Sequence, residues 1–251
     1  MGTLLAKERS VVVPGEVLVE GMDYLPGAGS YRLNDKVLAM RLGLLQVDGR
    51  ALKIIHLSGK YIPKRGDVII GRIIDVAMSG WIFDTNSAYT AMLSVRDATS
   101  EFINKGADLT QIFSLGDYVV TEIVNVTSQK LVDLTTKAPG LRKLVCGRII
   151  EVNCHKVPRI IGKQGSMVSL IKNATGCKIT VGQNCLIWIS GEPQQEALAL
   201  EAIRIIESEA HISGLTERIQ KFFHEKTGKD FSIERVERTE KTEKTNSGDV
   251  K

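Results

Sequence analysis

The chain of 251 residues has few of the features that mark an enzyme, a metal protein or a membrane protein. Its four cysteines, Cys146, Cys154, Cys177 and Cys185, form no C-x-x-C pair, and that pair is the commonest start of a structural zinc site. They are expected to be reduced, structural thiols of a cytoplasmic protein. The four histidines, His56, His155, His211 and His224, are scattered without ligand spacing, so no metal is expected. No apolar run reaches the roughly 18 residues of a membrane span, and the N-terminal MGTLLAKERS has no apolar stretch of the kind a secretory signal needs. Ala6 stands where a myristoylation pattern wants Ser or Thr. The phosphate loop G-x-x-x-x-G-K-[ST] is missing. Asp67, Asp75 and Asp84 share no spacing that would make an acid–base or metal pair, so no catalytic residue and no cofactor are expected. Aromatic residues make up only 5% of the chain, which makes each tryptophan worth locating.

What is present is a concentration of positive charge. The chain as a whole is at +4. Residues 141 to 191 alone carry eight basic residues against a single acid, Glu151, and are at +7, which leaves the remainder at −3. A basic patch confined to one segment is the electrostatic footprint of a polyanion site.

Periodicity divides the chain. Residues 1 to 63 read as short strands broken by glycine turns, with Asp48-Gly49 between apolar runs as a hairpin signal. Residues 64 to 138 continue as about five strands with one long connection over 96 to 113, the pattern of an OB-fold barrel. From 141 to 212 the order becomes β-α-α-β-β-α. LRKLVCGRIIEVN reads as one strand, VPRII and SMVSLIKNATG as short helices, CKITV and CLIWISG as strands. EPQQEALALEAIRIIESEA is a helix with Pro193 in its first turn. Residues 213 to 251 add a short helix and a charged tail expected to be disordered. The fold class is therefore multidomain, mainly β plus α+β.

Between the two short helices lies Gly162-Lys163-Gln164-Gly165. Glycine at both ends lets backbone approach a sugar-phosphate chain closely. A helix that begins just after Gly165 directs its positive end to the same place. Arg159, Lys163 and Lys172 supply cations, and Ile160, Ile161 and Ile171 an apolar floor for bases. A GxxG in this setting is how a KH domain holds about four nucleotides of single strand.

These residues carry a resemblance. VPRIIGKQGSMVSLIKNATGCKITV resembles a KH domain of the first topological type. GDVIIGRIIDVAMSGWIFDTN with FSLGDYVVTEIVNV resembles the OB-type RNA-binding domain named after ribosomal protein S-one. With VVVPGE, GAGSYR and GKYIPKRGDVIIGRI upstream, residues 10 to 215 resemble the RNA-binding cap subunits of the archaeal exosome. The resemblance implies a cytoplasmic, non-catalytic subunit, three copies of which sit on a hexameric ring of ribonuclease-fold proteins. Such a cap captures single-stranded RNA, with a preference for A-rich tails in the family, and guides it to the pore for 3′-to-5′ degradation. The N-terminal domain would contact the ring. In the OB segment Trp81 and Phe83 match two stacking positions of the family, with Arg96 and Lys130 as accompanying candidate contacts. Ser94, Thr127 and Lys130 or Leu131 replace the His, Asp and Arg that often complete that face. Both aromatics can equally be barrel core. Lys64-Arg65 reads equally as a contact or as solvated loop, and Trp188 as core. An elongation or antitermination factor combining OB and KH modules is the competing class, and a ribonuclease a more distant one.

Overall fold

The structure, a computed structural model, describes residues 3–57, 59–99, 108–210, 212 and 214–228. The charged tail and part of the long connection lie outside the described residues. Contacts divide the chain into two compact units, 1–157 with 180–188, and 158–179 with 189–251.

The first unit opens with eight short strands, β1 (Thr3–Leu4), β2 (Val11–Val12), β3 (Val17–Glu20), β4 (Leu25–Pro26), β5 (Ser30–Leu33), β6 (Lys36–Ala39), β7 (Gly43–Asp48) and β8 (Ala51–His56). They make two four-stranded sheets, in the orders β1-β3-β6-β5 and β2-β7-β8-β4. Val12, Leu18, Val37, Leu45, Leu52 and Ile54 from both sheets share one buried core. Asp48 pairs with Ala51 across the expected two-residue turn.

The barrel follows. It comprises β9 (Val68–Ala77), β10 (Gly80–Asp84), β11 (Thr90–Ser94), β12 (Tyr118–Val126) and β13 (Val132–Thr135), and β13 closes it by pairing with both β11 and β12. A single helical turn, α1 (Val95–Ala98), leaves β11. The inner face alternates along the strands, with Ile69, Ile73, Trp81, Phe83, Leu93, Ile123 and Leu134 in one core. Closure removes the sheet edges that an open five-stranded sheet would expose.

The expected single strand LRKLVCGRIIEVN is two. β14 (Lys143–Leu144) pairs with the start of β12. β15 (Arg148–Glu151) belongs to another sheet. The break falls where Cys146 and Gly147 both take positive φ, +53° and +113°, which no continuous strand accommodates. β16 (Lys178–Val181) and β17 (Leu186–Ser190) complete the three-stranded sheet β15-β17-β16.

The helices α2 (Val157–Ile161), α3 (Ser166–Thr175), α4 (Pro193–Glu209) and α5 (Leu215–Thr227) dominate the second unit. α3, α4 and α5 pack on one another. α4 buries Ala199, Ala202, Ile203 and Ile206, the i, i+3, i+4, i+7 stripe of one helix face. Its first turn is fixed by Pro193 and by the Glu196 carboxylate, which accepts from the Gly191 amide at 3.0 Å. α5 buries Leu215, Ile219 and Phe223. It is tied to α4 by Arg218–Glu209 at 2.8 Å and Lys226–Glu201 at 3.6 Å.

Candidate nucleic-acid interface

The GxxG loop sits between α2 and α3 with three residues in left-handed backbone. Gly162 lies at φ +75°, Gln164 at +56° and Gly165 at +82°. Gly162 has a second constraint, because a Cβ there would stand 2.8 Å from both the amide nitrogen and the Cβ of Met167. The loop is braced by its own bonds. The Gly162 amide donates to Pro158 at 2.9 Å, the Gly165 amide to Gly162 at 3.3 Å, and the Ser166 amide to Lys163. Lys163 and Gln164 at the loop tip are exposed, as are Arg159 and Lys172. No ion pair among the described residues engages Arg159, Lys163 or Lys172. Unpaired cations beside accessible glycine backbone form a surface that can take a phosphate chain.

The apolar floor is narrower than expected. Ile160 and Ile171 are fully buried and belong to the core, so neither presents a side chain to a base. Ile161 is half-buried and remains the apolar neighbour of the loop. Two of the eight basic residues also serve structure. Lys143 pairs with Asp117, and the Arg142 guanidinium lies 5.8 Å from the centre of the Trp188 ring.

In the barrel the expected stacking pair is corrected. Trp81 and Phe83 are fully buried. The Trp81 ring meets Phe113 edge-on at 5.3 Å and its Nε1–H donates to the Phe113 carbonyl at 3.0 Å. Phe83 fills the space over Gly71, where a Cβ would come within 2.7 Å of its ring. A ring with no accessible face cannot stack on a base. Arg96, on α1, and Lys130, in the β12–β13 turn, are both exposed. Ser94 donates to Asp97, and Thr127 accepts from the Leu131 amide at 3.0 Å, so both side chains serve local turns.

Two features escaped sequence reasoning. Asn184, in the β16–β17 turn, is fully buried and bonds the barrel backbone: its amide accepts from Ile70 N–H at 3.1 Å and donates to the carbonyls of Ile70 at 2.8 Å and Thr85 at 2.9 Å. Around it Leu144 and Trp188 cover Ile70 and Val120, the outward residues of β9 and β12. Trp188 is thus core, with its Nε1–H donating to Cys146 O at 2.9 Å. Second, Cys154 and Cys185 form a disulfide with Cα atoms 4.7 Å apart, against the expectation of reduced thiols. Cys146 and Cys177 are free. No group of three or more His, Cys, Asp or Glu side chains among the described residues could hold a metal ion, and no helix among them is long and apolar enough to cross a membrane.

Comparison with known proteins agrees with this geometry. The KH domain family matches residues 147–205, and the RRP4 S1 domain family matches residues 60–105. The exosome complex component Rrp4 of Methanothermobacter thermautotrophicus is 40% identical over 92% of this chain and 73% of its own length. That of Methanothermus fervidus is 41% identical over 87% of this chain and 97% of its own, and that of Pyrococcus furiosus 39% over 90% and 87%. A crystal structure whose protein is provisionally described as an exosome complex RNA-binding protein superposes with a TM-score of 0.61 at 39% identity, over 66% of this chain and 97% of that one. On residues matched along most of its length, this chain belongs to the Rrp4 family of exosome complex components.

Proposed function

We propose that this chain is a non-catalytic RNA-binding subunit of an exosome, one of three that cap a hexameric ring of ribonuclease-fold proteins in the cytoplasm. It captures single-stranded RNA, A-rich tails among it, and guides it to the central pore for 3′-to-5′ degradation. The observation that carries the reading is the GxxG loop. Its backbone is held open by left-handed residues and is flanked by the exposed Arg159, Lys163 and Lys172, which no ion pair among the described residues engages.

The N-terminal sandwich, residues 1–63, is the part suited to hold the ring. Its surface leaves Leu5, Val11, Val13, Leu25, Leu33 and Ile55 more than half exposed, apolar area that contact with a ring subunit would bury. The barrel, residues 64–138, contributes through its exposed cations Arg96 and Lys130 rather than by stacking. Three copies around one pore would raise the effective concentration of each weak contact. The KH segment, residues 141–212, supplies the principal grip on RNA.

The test is degradation of end-labelled single-stranded RNA by the purified ring in phosphate and magnesium, with and without this chain, and by the chain alone. The reading predicts no cleavage by the chain alone, faster cleavage by the ring in its presence, and a stable assembly of three caps on six ring subunits. Binding of RNA without joining or stimulating the ring would transfer the chain to the elongation or antitermination class. Cleavage by the chain alone would make it a nuclease.

A further inference from the structure

We propose that the Cys154–Cys185 disulfide is a thiol-exchange site, opened and closed at the Cys154 sulfur by small thiols and their disulfides, and that its closure tightens the hold of the GxxG loop on single-stranded RNA. The proposal rests on the RNA-binding reading above and adds control by redox state to it.

The two cysteines differ in access. Cys185 is fully buried. Cys154 is only partly buried, and it lines a recess of about 240 Å³ together with Lys60, Tyr61, Asn86 and Asn153. A thiolate arriving from solvent therefore meets the bond at Cys154. Exchange runs through a mixed disulfide. The attacking sulfur bonds to the Cys154 sulfur, the bond to Cys185 breaks, and Cys185 leaves with the electron pair and takes up a proton. A second thiolate then attacks the small thiol's sulfur and releases Cys154. The sum is one protein disulfide reduced to two thiols and two small thiols oxidised to their disulfide. The same steps in reverse close the bond. A disulfide in a cytoplasmic protein is of this transient, redox-responsive kind rather than a permanent staple.

The bond stands at the entry to the RNA-binding loop. Cys154 begins the 3-10 turn Cys154–Lys156, the next residue begins α2, and α2 ends at Ile161, beside Gly162. The hydrogen bonds within the turn are local to it. Asn153 Oδ1 accepts from the His155 amide at 3.1 Å, and the Asn153 carbonyl from the Lys156 amide at 2.9 Å. Cys185, in contrast, follows Asn184, which three hydrogen bonds fix to the barrel backbone. Its own carbonyl accepts from the Val152 amide at 2.9 Å. The disulfide thus fastens the first residue of the turn to a firmly held one.

It also closes a loop, over a sequence separation of 31, that contains α2, the GxxG and α3. A closed loop has fewer conformations to lose when RNA arrives, and a preorganised site binds more tightly. Val157 and Ile160 remain buried anchors of α2, so opening the bond loosens the loop without abolishing it. The effect on RNA is graded.

The experiment uses the full-length chain in a Cys146→Ser background, which removes the exposed free thiol. Labelled single-stranded RNA is titrated with this chain equilibrated in oxidised or in reduced dithiothreitol, well below the melting temperature measured for each form. The variant Cys154→Ser, Cys185→Ser in the same background is the redox-blind control. The proposal expects the oxidised chain to bind about fivefold more tightly than the reduced one, and the control to bind like the reduced chain in both conditions. Brief exposure of the oxidised chain to 2-mercaptoethanol, followed by alkylation, should leave the mixed disulfide on Cys154 and an alkylated Cys185. RNA binding of equal affinity in the two redox states overturns the proposal and leaves the RNA-binding reading intact. A fall in affinity that only tracks global unfolding of the reduced chain overturns it too, by assigning the bond to stability alone. A mixed disulfide on Cys185, or a bond that oxidised dithiothreitol does not form, overturns the exchange site. Absence of RNA binding in both states overturns the reading and the proposal together. The comparison of oxidised with reduced chain decides the matter even where the serine control does not fold.

Discussion

The side-chain amide of Asn184 bonds both backbone groups of Ile70, accepting from its N–H at 3.1 Å and donating to its carbonyl at 2.8 Å. A residue in a turn after the GxxG helices thereby completes the hydrogen bonding of a barrel strand 114 residues away. The neighbouring backbone repeats the link, since the Gln183 amide donates to the Val68 carbonyl at 2.9 Å. β9 can therefore carry Ile69 inward and Ile70 outward with both buried.

Replacing Asn184 with Ala strands one donor and two acceptors in a dry place. Each unmet buried group costs about 1–3 kcal/mol. The expected effect of Asn184→Ala is a destabilisation of about 3 kcal/mol, read as a lower denaturant midpoint in equilibrium unfolding. A change under about 0.5 kcal/mol would mean that water replaces the amide.

Trp81→Ala should act on stability rather than on RNA. Truncation of a buried tryptophan in a packed core costs about 3–5 kcal/mol. Salt-dependent RNA affinity of the folded variant, measured below its melting temperature, should match the wild type. A selective fall in RNA affinity at unchanged stability would restore the stacking role.

Asp117 provides a pH test of the seam between β12 and β14. Burial works against its ionisation. The hydrogen bonds from Lys143 and from the Ser114 amide at 2.7 Å, with the Lys143 charge, outweigh that and lower its pKa from 3.8. A carboxylate lowered on folding stabilises above its unfolded pKa, and the effect fades as pH falls through the folded value. Lys143 is partly exposed, so the contribution is at most about 1 kcal/mol. Asp117→Asn should be less stable than wild type by a constant margin above about pH 5, with the margin closing below about pH 3. A margin independent of pH would exclude the ionised pair as its source.

The disulfide closes a loop over a sequence separation of 31 that contains the GxxG segment. A cross-link of that span stabilises by about 3–4 kcal/mol in the chain-entropy account. The double variant Cys154→Ser, Cys185→Ser should therefore unfold at lower denaturant under non-reducing conditions, and should match the wild type once the latter is reduced. Equal stability without reductant would show that the pair contributes nothing in solution.

The sequence made some of this legible and hid the rest for physical reasons. Asp48-Gly49, the GxxG and the Pro193 helix are local signals, set within a few residues, and each appears where its chemistry directs. Trp81-Ile82-Phe83 alternates correctly for a strand, but alternation does not say which face is inside. The answer depends on Phe113 and Gly71, which the chain brings in from elsewhere. Asn184 in Gly-Gln-Asn reads as an ordinary polar turn until the barrel backbone is placed against it. Cys154 and Cys185 become partners only when the end of β15 and the start of β17 are adjacent. The strand through Cys146-Gly147 looked continuous because its apolar residues run on, while its backbone breaks at two positive-φ residues and passes to another sheet.

The most direct test of the account is the binding of labelled single-stranded RNA to the wild-type chain and to the double variant Lys163→Asp, Gln164→Asp across a range of salt. Both side chains are exposed, so the variant should fold normally. The account predicts at least about tenfold weaker binding, with a salt dependence shallower by about 0.7 for each phosphate that is no longer neutralised. Equal affinity and an equal salt slope in the two proteins would contradict it, because the GxxG loop would then stand clear of the RNA.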